Sequence, residues 1–382
     1  MAQRRPLELS AMGAVRPPAD TAVAAAQRRE RQGFDAVWWA DHFLHWFPLS
    51  IWTPELVPQA AAGQASPHVW FDPVPVVAAA AGATREVRLG IGVTDMVRRH
   101  PASLAQTALT LDHVTGGRFV LGVGTGESLN LTPFGLRNDR PLSRLDEGMH
   151  ILRLLMAGTG EIDFAGDHFR LEGASLGLGP FGDAPPPVWV AAHRPRGLEL
   201  VGRRADGWLP FATDPAAYAG MLAAVRAATV AAGRPEDAVV AGLYARVVIA
   251  ETREAALEAI DGSLLMRFIA LTRPSEAYEA HGVEHPLGAG EFGLTTFLPT
   301  RYNREAALAL AAAVPREVLR ETVIHGTPDD VAAQLAAFVE AGADHVQLTN
   351  MTPLAQPALA AASEALLADA VVALRTGGAS PA

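Results

Sequence analysis

Eight short apolar runs alternate with longer helical patterns along most of this 382-residue chain, and that alternation restricts the fold more than any other feature. The runs lie at 7–13, 36–43, 87–95, 118–126, 187–193, 207–212, 239–250 and 345–351. Between them sit segments such as 21–33, 101–117, 143–158 and 215–233, with apolar residues at helical spacing and a terminal Gly suited to a helix stop. Eight strands with intervening helices predict an α/β fold, a (β/α)8 TIM barrel with insertions rather than an open sheet. The spacing is uneven. More than one crossover helix separates the seventh run from the eighth, and the turn-rich, aromatic stretch 262–316 reads as an insertion forming a lid or wall over the barrel mouth. Residues 43–75 form a second long loop, rich in Trp, Pro and Phe. The expected organisation is one barrel domain over 1–375 with a disordered tail at 376–382.

Composition removes whole classes of chemistry. The chain has no Cys, which excludes disulfides, thiolate metal sites and cysteine nucleophiles. It also has no Lys, so all 31 basic residues are Arg; Schiff-base lysines and Walker-type phosphate loops are excluded. A net charge of −10 argues against nucleic-acid binding. The N-terminal residues lack the apolar stretch of a signal peptide, and the apolar run at 74–83 is too short and carries a Pro, so no membrane span and a cytoplasmic location are expected.

In such a barrel the C-terminal ends of the strands carry the chemistry. Here they present Asp41 and His42, Thr94 and Asp95, Thr125 and Glu127, and His193. His42, next to Asp41 and an aromatic loop, reads either as a proton donor or acceptor held in one tautomer, or as a histidine bonded to a loop carbonyl. Glu127 reads either as an acid whose pKa is raised by an apolar site, or as the partner of an Arg. Glycines 122, 124 and 126 read as bare backbone that lets a flat or phosphorylated ligand approach. The run Gly122–Glu127 imitates a dinucleotide fingerprint, but the acid twenty residues on, Glu147, falls within a helical pattern, so that match is rejected. Pro195 opens a helix where Arg194 and Arg196 either bind an anion or are simply solvated. His281 and His285 stand four apart, but Gly282 and Pro286 argue against a helix, so no metal site is expected. Of Trp38 and Trp39, which alternate on a strand, one is expected in the core. Trp46, Trp52 and Trp70 fall in the loop; Trp52 and Trp70 are expected to line an apolar substrate pocket, with packing against a second subunit as the competing reading.

Taken together, segments 40–46, 88–95, 119–130, 189–210 and 325–348 resemble the bacterial-luciferase-like superfamily, in its branch using the deazaflavin coenzyme F420. The run Thr125–Asn130 is the most specific to that branch. Segment 189–210 and the insertion around 281–289 are closer to the phthiodiolone dimycocerosate ketoreductase type than to the glucose-6-phosphate dehydrogenase type. The resemblance spans nearly the whole chain. It implies a TIM barrel, a homodimer and a small-molecule substrate, with coenzyme F420 at the barrel mouth and FMN as the alternative cofactor.

By resemblance, Asp41 and His42 match the Asp-His pair of the second strand, with His42 beside the redox carbon of the ring. Gly92–Val93 matches the position of a non-proline cis peptide that supports the ring. Thr125, Gly126, Glu127 and Asn130 match the cofactor and acid segment. Ala191, Ala192 and His193 match the positions on the ribityl-phosphate side, and Trp46 matches the active-site Trp of the dehydrogenase type, which the ketoreductase type lacks. Glucose-6-phosphate recognition in this family uses Lys, absent here, and His193–Arg194 replaces a Gly-Gly. The reading is an F420-dependent oxidoreductase reducing a carbonyl, or oxidising the matching alcohol, on a fairly apolar molecule. In it Glu127 is the acid and His42 polarises the oxygen. The competing readings are an FMN-dependent monooxygenase and a non-catalytic flavin carrier.

Overall fold

A computed structural model describes residues 5–158 and 160–376; residues 377–382 of the expected tail fall outside these. Eleven strands occur among them: β1 (Glu8–Met12), β2 (Ala36–Trp39), β3 (Arg88–Asp95), β4 (Phe119–Gly124), β5 (Ile162–Ala165), β6 (Arg170–Ala174), β7 (Val188–Val190), β8 (Gly207–Trp208), β9 (Val240–Ile249), β10 (Ile324–Gly326) and β11 (His345–Asn350). Parallel pairing runs β1-β2-β3-β4-β7-β8-β9-β11 and back to β1, closing an eight-strand barrel. These eight are the eight runs read from the sequence, each trimmed at one or both ends.

Three strands lie outside that reading. β5 and β6 form an antiparallel hairpin after β4, and β10 pairs with the C-terminal end of β9. Few of their side chains are buried and apolar, so no apolar run marks them in the sequence. Glu147, inside the helix Pro141–Met156, accepts the backbone N–H groups of Asp167, His168 and Phe169 at the hairpin turn. Its carboxylate is a clasp for that turn, as its helical position requires.

The helices start where local chemistry says they should. Pro is the first residue of those at Pro73, Pro101, Pro141, Pro195, Pro215 and Pro328, where a missing N–H costs nothing. Asp72, Asp214 and Thr327 cap three of them. The helix Ala360–Arg375 belongs to a run from Pro357 that is long and apolar enough to cross a membrane by length and composition, a stretch the sequence reading did not weigh. Here Leu367, Ala370, Val371 and Leu374 of it are buried in the layer between strands and helices.

Trp38 and Trp39 are both core. Trp38 faces the barrel interior, 5.3 Å from Trp189, and the wall makes room for the two indoles with glycine: a Cβ on Gly90 would lie 2.3 Å from Trp38, and one on Gly207 2.3 Å from Trp189. Trp39 points outward into the strand–helix layer.

The 262–316 stretch is largely helical, with helices at Leu264–Ala270, Glu276–Glu279, Gly293–Thr296 and Arg304–Ala312. Its Met266, Phe268, Ile269 and Phe297 share one apolar cluster with Phe47, Ile51 and Trp52 of the 43–75 loop. The two segments therefore build one cap beside the barrel mouth.

Candidate active site

The strand ends converge on one cleft that is partly open to solvent. β2 leads into Asp41 and His42; β3 contributes Gly92 to Asp95; β4 leads into Thr125, Gly126 and Glu127; β7 leads into Ala191 and His193. Leu294 and Thr295 of the cap close one side.

Asp41 is an anchor. Its carboxylate accepts from Thr94 Oγ1 (2.6 Å), Arg99 Nε (3.0 Å) and Arg98 Nη1 (3.1 Å). Its carbonyl accepts from Arg98 Nη2 (2.7 Å), while Arg98 Nε also donates to Asp95 (2.5 Å). Burial alone would raise the Asp41 pKa, but the Arg98 charge and the Arg99 hydrogen bond outweigh it and hold the carboxyl below the usual range. The end of β2 is thereby locked to the end of β3, which fixes the backbone that carries His42.

His42 is stacked on Trp70 (ring centroids 4.8 Å apart) and meets Trp46 edge-on (5.3 Å). Burial, seconded by the Arg98 charge, pushes its pKa down to about 4, so the imidazole is neutral at neutral pH. Asn130 sets the tautomer. Its Oδ1 accepts from the backbone N–H groups of Phe43 (2.8 Å) and Leu44 (3.1 Å), so its Nδ2 is the group facing His42 Nδ1 at 3.0 Å. The His42 Nδ1 therefore accepts, and Nε2 carries the proton.

Glu127 stands 3.6 Å from His42 Nδ1 and 3.3 Å from Asn130 Nδ2. Burial raises its pKa to about 8, against the opposing charges of Arg98 and Arg246. At neutral pH the contact joins a carboxylic acid to a neutral imidazole rather than two ions: burial disfavours charge on each more than proximity favours it. A protonated acid and a hydrogen-bearing imidazole side by side in an apolar cleft can together serve an oxygen that needs a proton.

The floor departs from regular strand. The Gly92–Val93 peptide is cis, and the β3–β4 register shifts between Ile91 and Thr94. This changes the reading of the β4 glycines. A Cβ on Gly122 would lie 2.4 Å from the Ile91 carbonyl oxygen, and one on Gly124 3.1 Å from Val93 Cγ2. Gly122 and Gly124 admit the irregular neighbouring strand, while Gly126, at φ +83°, supplies the turn into Glu127.

His193 lines the cleft, with Nε2 accepting from Phe211 N (2.9 Å); burial and the Arg194 charge push its pKa down to about 4. Arg194 pairs with Glu276 of the cap (2.6 Å). Ala192 lies outside the lining, its carbonyl accepting from Trp208 Nε1 (2.9 Å). Trp46 lines the cleft. Trp52 is in the cap core, its Nε1 donating to the Gln64 carbonyl (2.7 Å), and Trp70 backs His42 rather than lining the cleft. His281 and His285 take separate partners, Glu321 and the Arg273 carbonyl.

Sequence reasoning passed over Arg98, Phe211, Tyr244 and Arg246. For Arg246 a signal existed: β9 alternates, and an Arg falls on the parity of Gly242 and Tyr244, opposite to the apolar Ala245 and Val247. A cation on the inward parity of a barrel strand needs a reason.

Comparison with known proteins agrees with this architecture. The luciferase-like monooxygenase family model matches residues 3–345. The phthiodiolone/phenolphthiodiolone dimycocerosates ketoreductase of Mycobacterium tuberculosis H37Rv is 36% identical over 358 residues, 93% of each chain. A 5,10-methylenetetrahydromethanopterin reductase of Archaeoglobus fulgidus is 29% identical over 264 residues, 69% of this chain and 76% of its own. Among solved structures, an F420-dependent secondary alcohol dehydrogenase with an F420–acetone adduct superposes with a TM-score of 0.75 at 21% identity, covering 97% of this chain and 99% of the other, a likeness of fold. With a family model spanning most of its length and a relative at this identity, the chain belongs to the luciferase-like family, and it is one of that family's oxidoreductases.

Proposed function

We propose that this oxidoreductase uses coenzyme F420 to interconvert a carbonyl and an alcohol on a fairly apolar small molecule. The observation that carries the reading is the His42–Glu127 contact at the C-terminal ends of β2 and β4, in a cleft walled by Trp46, Val93, Leu209 and Phe211. The names of two relatives, a ketoreductase and a methylenetetrahydromethanopterin reductase, support reduction as the class of chemistry.

The cleft suits a flat, largely apolar ring. Val93, Trp46, Leu209 and Phe211 give it an apolar lining, and the buried indole Nε1 of Trp46 has no partner among the described residues. Gly92, Val93, Thr125, Gly126 and Asn130 would hold the ring side, and Ala191 and His193 the chain beyond it. When bound, the deazaflavin supplies a hydride donor or acceptor.

The chain's own residues do the rest. Asn130 keeps the Nε2–H of His42 available to a carbonyl oxygen. Glu127, protonated at neutral pH, delivers a proton to that oxygen during reduction, and the Arg98 and Arg246 charges stabilise the carboxylate left behind. In the oxidative direction the same carboxylate accepts the proton. The Asp41–Arg98–Arg99 lock fixes the histidine, and Leu294 and Thr295 of the cap close one side of the cleft.

Titrating the purified protein with F420 and with FMN, by fluorescence quenching, tests the cofactor. Micromolar binding of F420 and none of FMN is the expected result. Binding of FMN alone, with oxygen uptake in the presence of a flavin reductase, would replace this reading by a monooxygenase.

A further inference from the structure

Arg246 acts on Glu127 only through its charge. It is 3% exposed, lies on β9 and lines the cleft. Nη1 donates to Thr272 Oγ1 (2.9 Å), and the guanidinium carbon sits 4.4 Å from the centre of the Phe211 ring, 5.7 Å from Trp46 and 5.8 Å from Tyr244. No carboxylate pairs with it among the described residues. Other buried arginines differ. Arg29 meets Glu364 at 2.8 Å, and Arg98 meets both Asp41 and Asp95. Taking a guanidinium out of water without an acid beside it is costly, and three aromatic faces return only part of that cost.

A second polar group at the same place is also unpartnered. Trp46, 9% exposed, lines the cleft with its ring centre 5.7 Å from the Arg246 guanidinium carbon, and its Nε1 has no acceptor among the described residues. Around the barrel, β9 stands diametrically opposite β3. Arg246 therefore faces the Gly92–Val93 kink across the cleft, and whatever binds between them meets Arg246 on its far side.

We propose that Arg246 and the Trp46 indole N–H form a carboxylate subsite, so that the substrate is an apolar carbonyl compound or alcohol bearing one carboxylate. The planar guanidinium fork matches two coplanar oxygens, and the indole N–H adds a third donor. A single uncompensated cation among aromatic rings balances one negative charge, which favours a carboxylate over a phosphate dianion. Fixing that end would orient the carbonyl toward His42 and Glu127, and in this respect the proposal rests on the hydride-transfer reading of the cleft.

The subsite is testable without cofactor or substrate, using benzoate as the probe and benzamide as its neutral counterpart at equal ionic strength. Thermal unfolding of the whole protein reports binding. Benzoate is expected to raise Tm and benzamide not to. Arg246→Met should weaken benzoate at least tenfold, and Trp46→Phe about threefold through one lost hydrogen bond. Arg246→Lys, which keeps a charge but not the fork, should weaken it about fivefold and serves if the Met variant does not fold. No benzoate effect in the wild type, an equal effect of benzamide, or undiminished benzoate binding in Arg246→Met or Arg246→Lys would each overturn the proposal. So would inorganic phosphate giving the stronger Arg246-dependent shift. Failure of F420 to bind while benzoate binds through Arg246 would instead sink the cofactor reading and leave the subsite standing.

Discussion

The barrel wall and the cap bury similar side chains by different means. Along β9, Ala241, Leu243, Ala245, Val247 and Ile249 face the helices, while Gly242, Tyr244 and Arg246 hold the other parity. Period two decides the burial of each residue, and the partners are neighbouring strands at a fixed register. The cap has no such rule. Phe47, Ile51 and Trp52 pack on Phe268, Ile269 and Phe297, from a segment far later in the chain and from pieces as short as the helix Leu264–Ala270. The wall holds the groups proposed to do the chemistry, and the cap decides what reaches them. If that division is right, damage to one region should leave the other's property intact.

The largest effect is expected at the wall. Glu127→Gln should lower turnover about 10²–10⁴-fold, the usual worth of a positioned general acid, with F420 affinity unchanged in the same quenching titration. Normal turnover would remove Glu127 from the mechanism. In the cap, Phe268→Ala should cost about 3–5 kcal/mol in denaturant unfolding, as for a large buried ring. A loss below about 1 kcal/mol would mean that the shared loop–insertion core contributes little.

The wall was legible in the sequence because strand parity and helix-starting prolines are local signals. All eight barrel strands could be read, and His42 and Glu127 could be placed at their ends, while Asn130 came only with the family resemblance. The cap was not legible. Trp46 and Trp52 sit six residues apart in one loop, yet Trp46 lines the cleft and Trp52 lies in the cap core. Only the later segment that covers the loop separates them. The β4 glycines misled for a related reason: their missing side chains make room for β3, and a neighbouring strand is invisible to a reading made along the chain. Arg246 was legible by parity and overlooked.

Acid–base behaviour refines the comparison at the wall. Reduction needs Glu127 protonated, so its rate should be level near neutrality and fall about tenfold per pH unit above about 8. Below about 4, His42 becomes charged and the rate should fall again. Stability follows the same sign. A carboxyl raised from 4.5 to about 8 favours the folded state at low pH, and that contribution is lost as pH rises through about 8. The Tm of wild type should therefore drop relative to Glu127→Gln between those limits, and a constant difference would contradict it.

The smallest effect is expected where cap meets wall. Arg194 and Glu276 are both more than half exposed, so Arg194→Ala should change stability by less than about 1 kcal/mol. Its signature should be a several-fold rise in substrate KM with kcat unchanged. Equal changes in both would mean that the pair acts on the chemistry rather than on closure.

The central claim is that burial keeps Glu127 a carboxylic acid at neutral pH beside a neutral His42. Following the side-chain carboxyl carbons of ¹³C-labelled glutamate by NMR across pH, with Glu127→Gln to assign the signal, measures it directly. A midpoint near 8 is expected for Glu127, and a midpoint near 4.5 would contradict that claim.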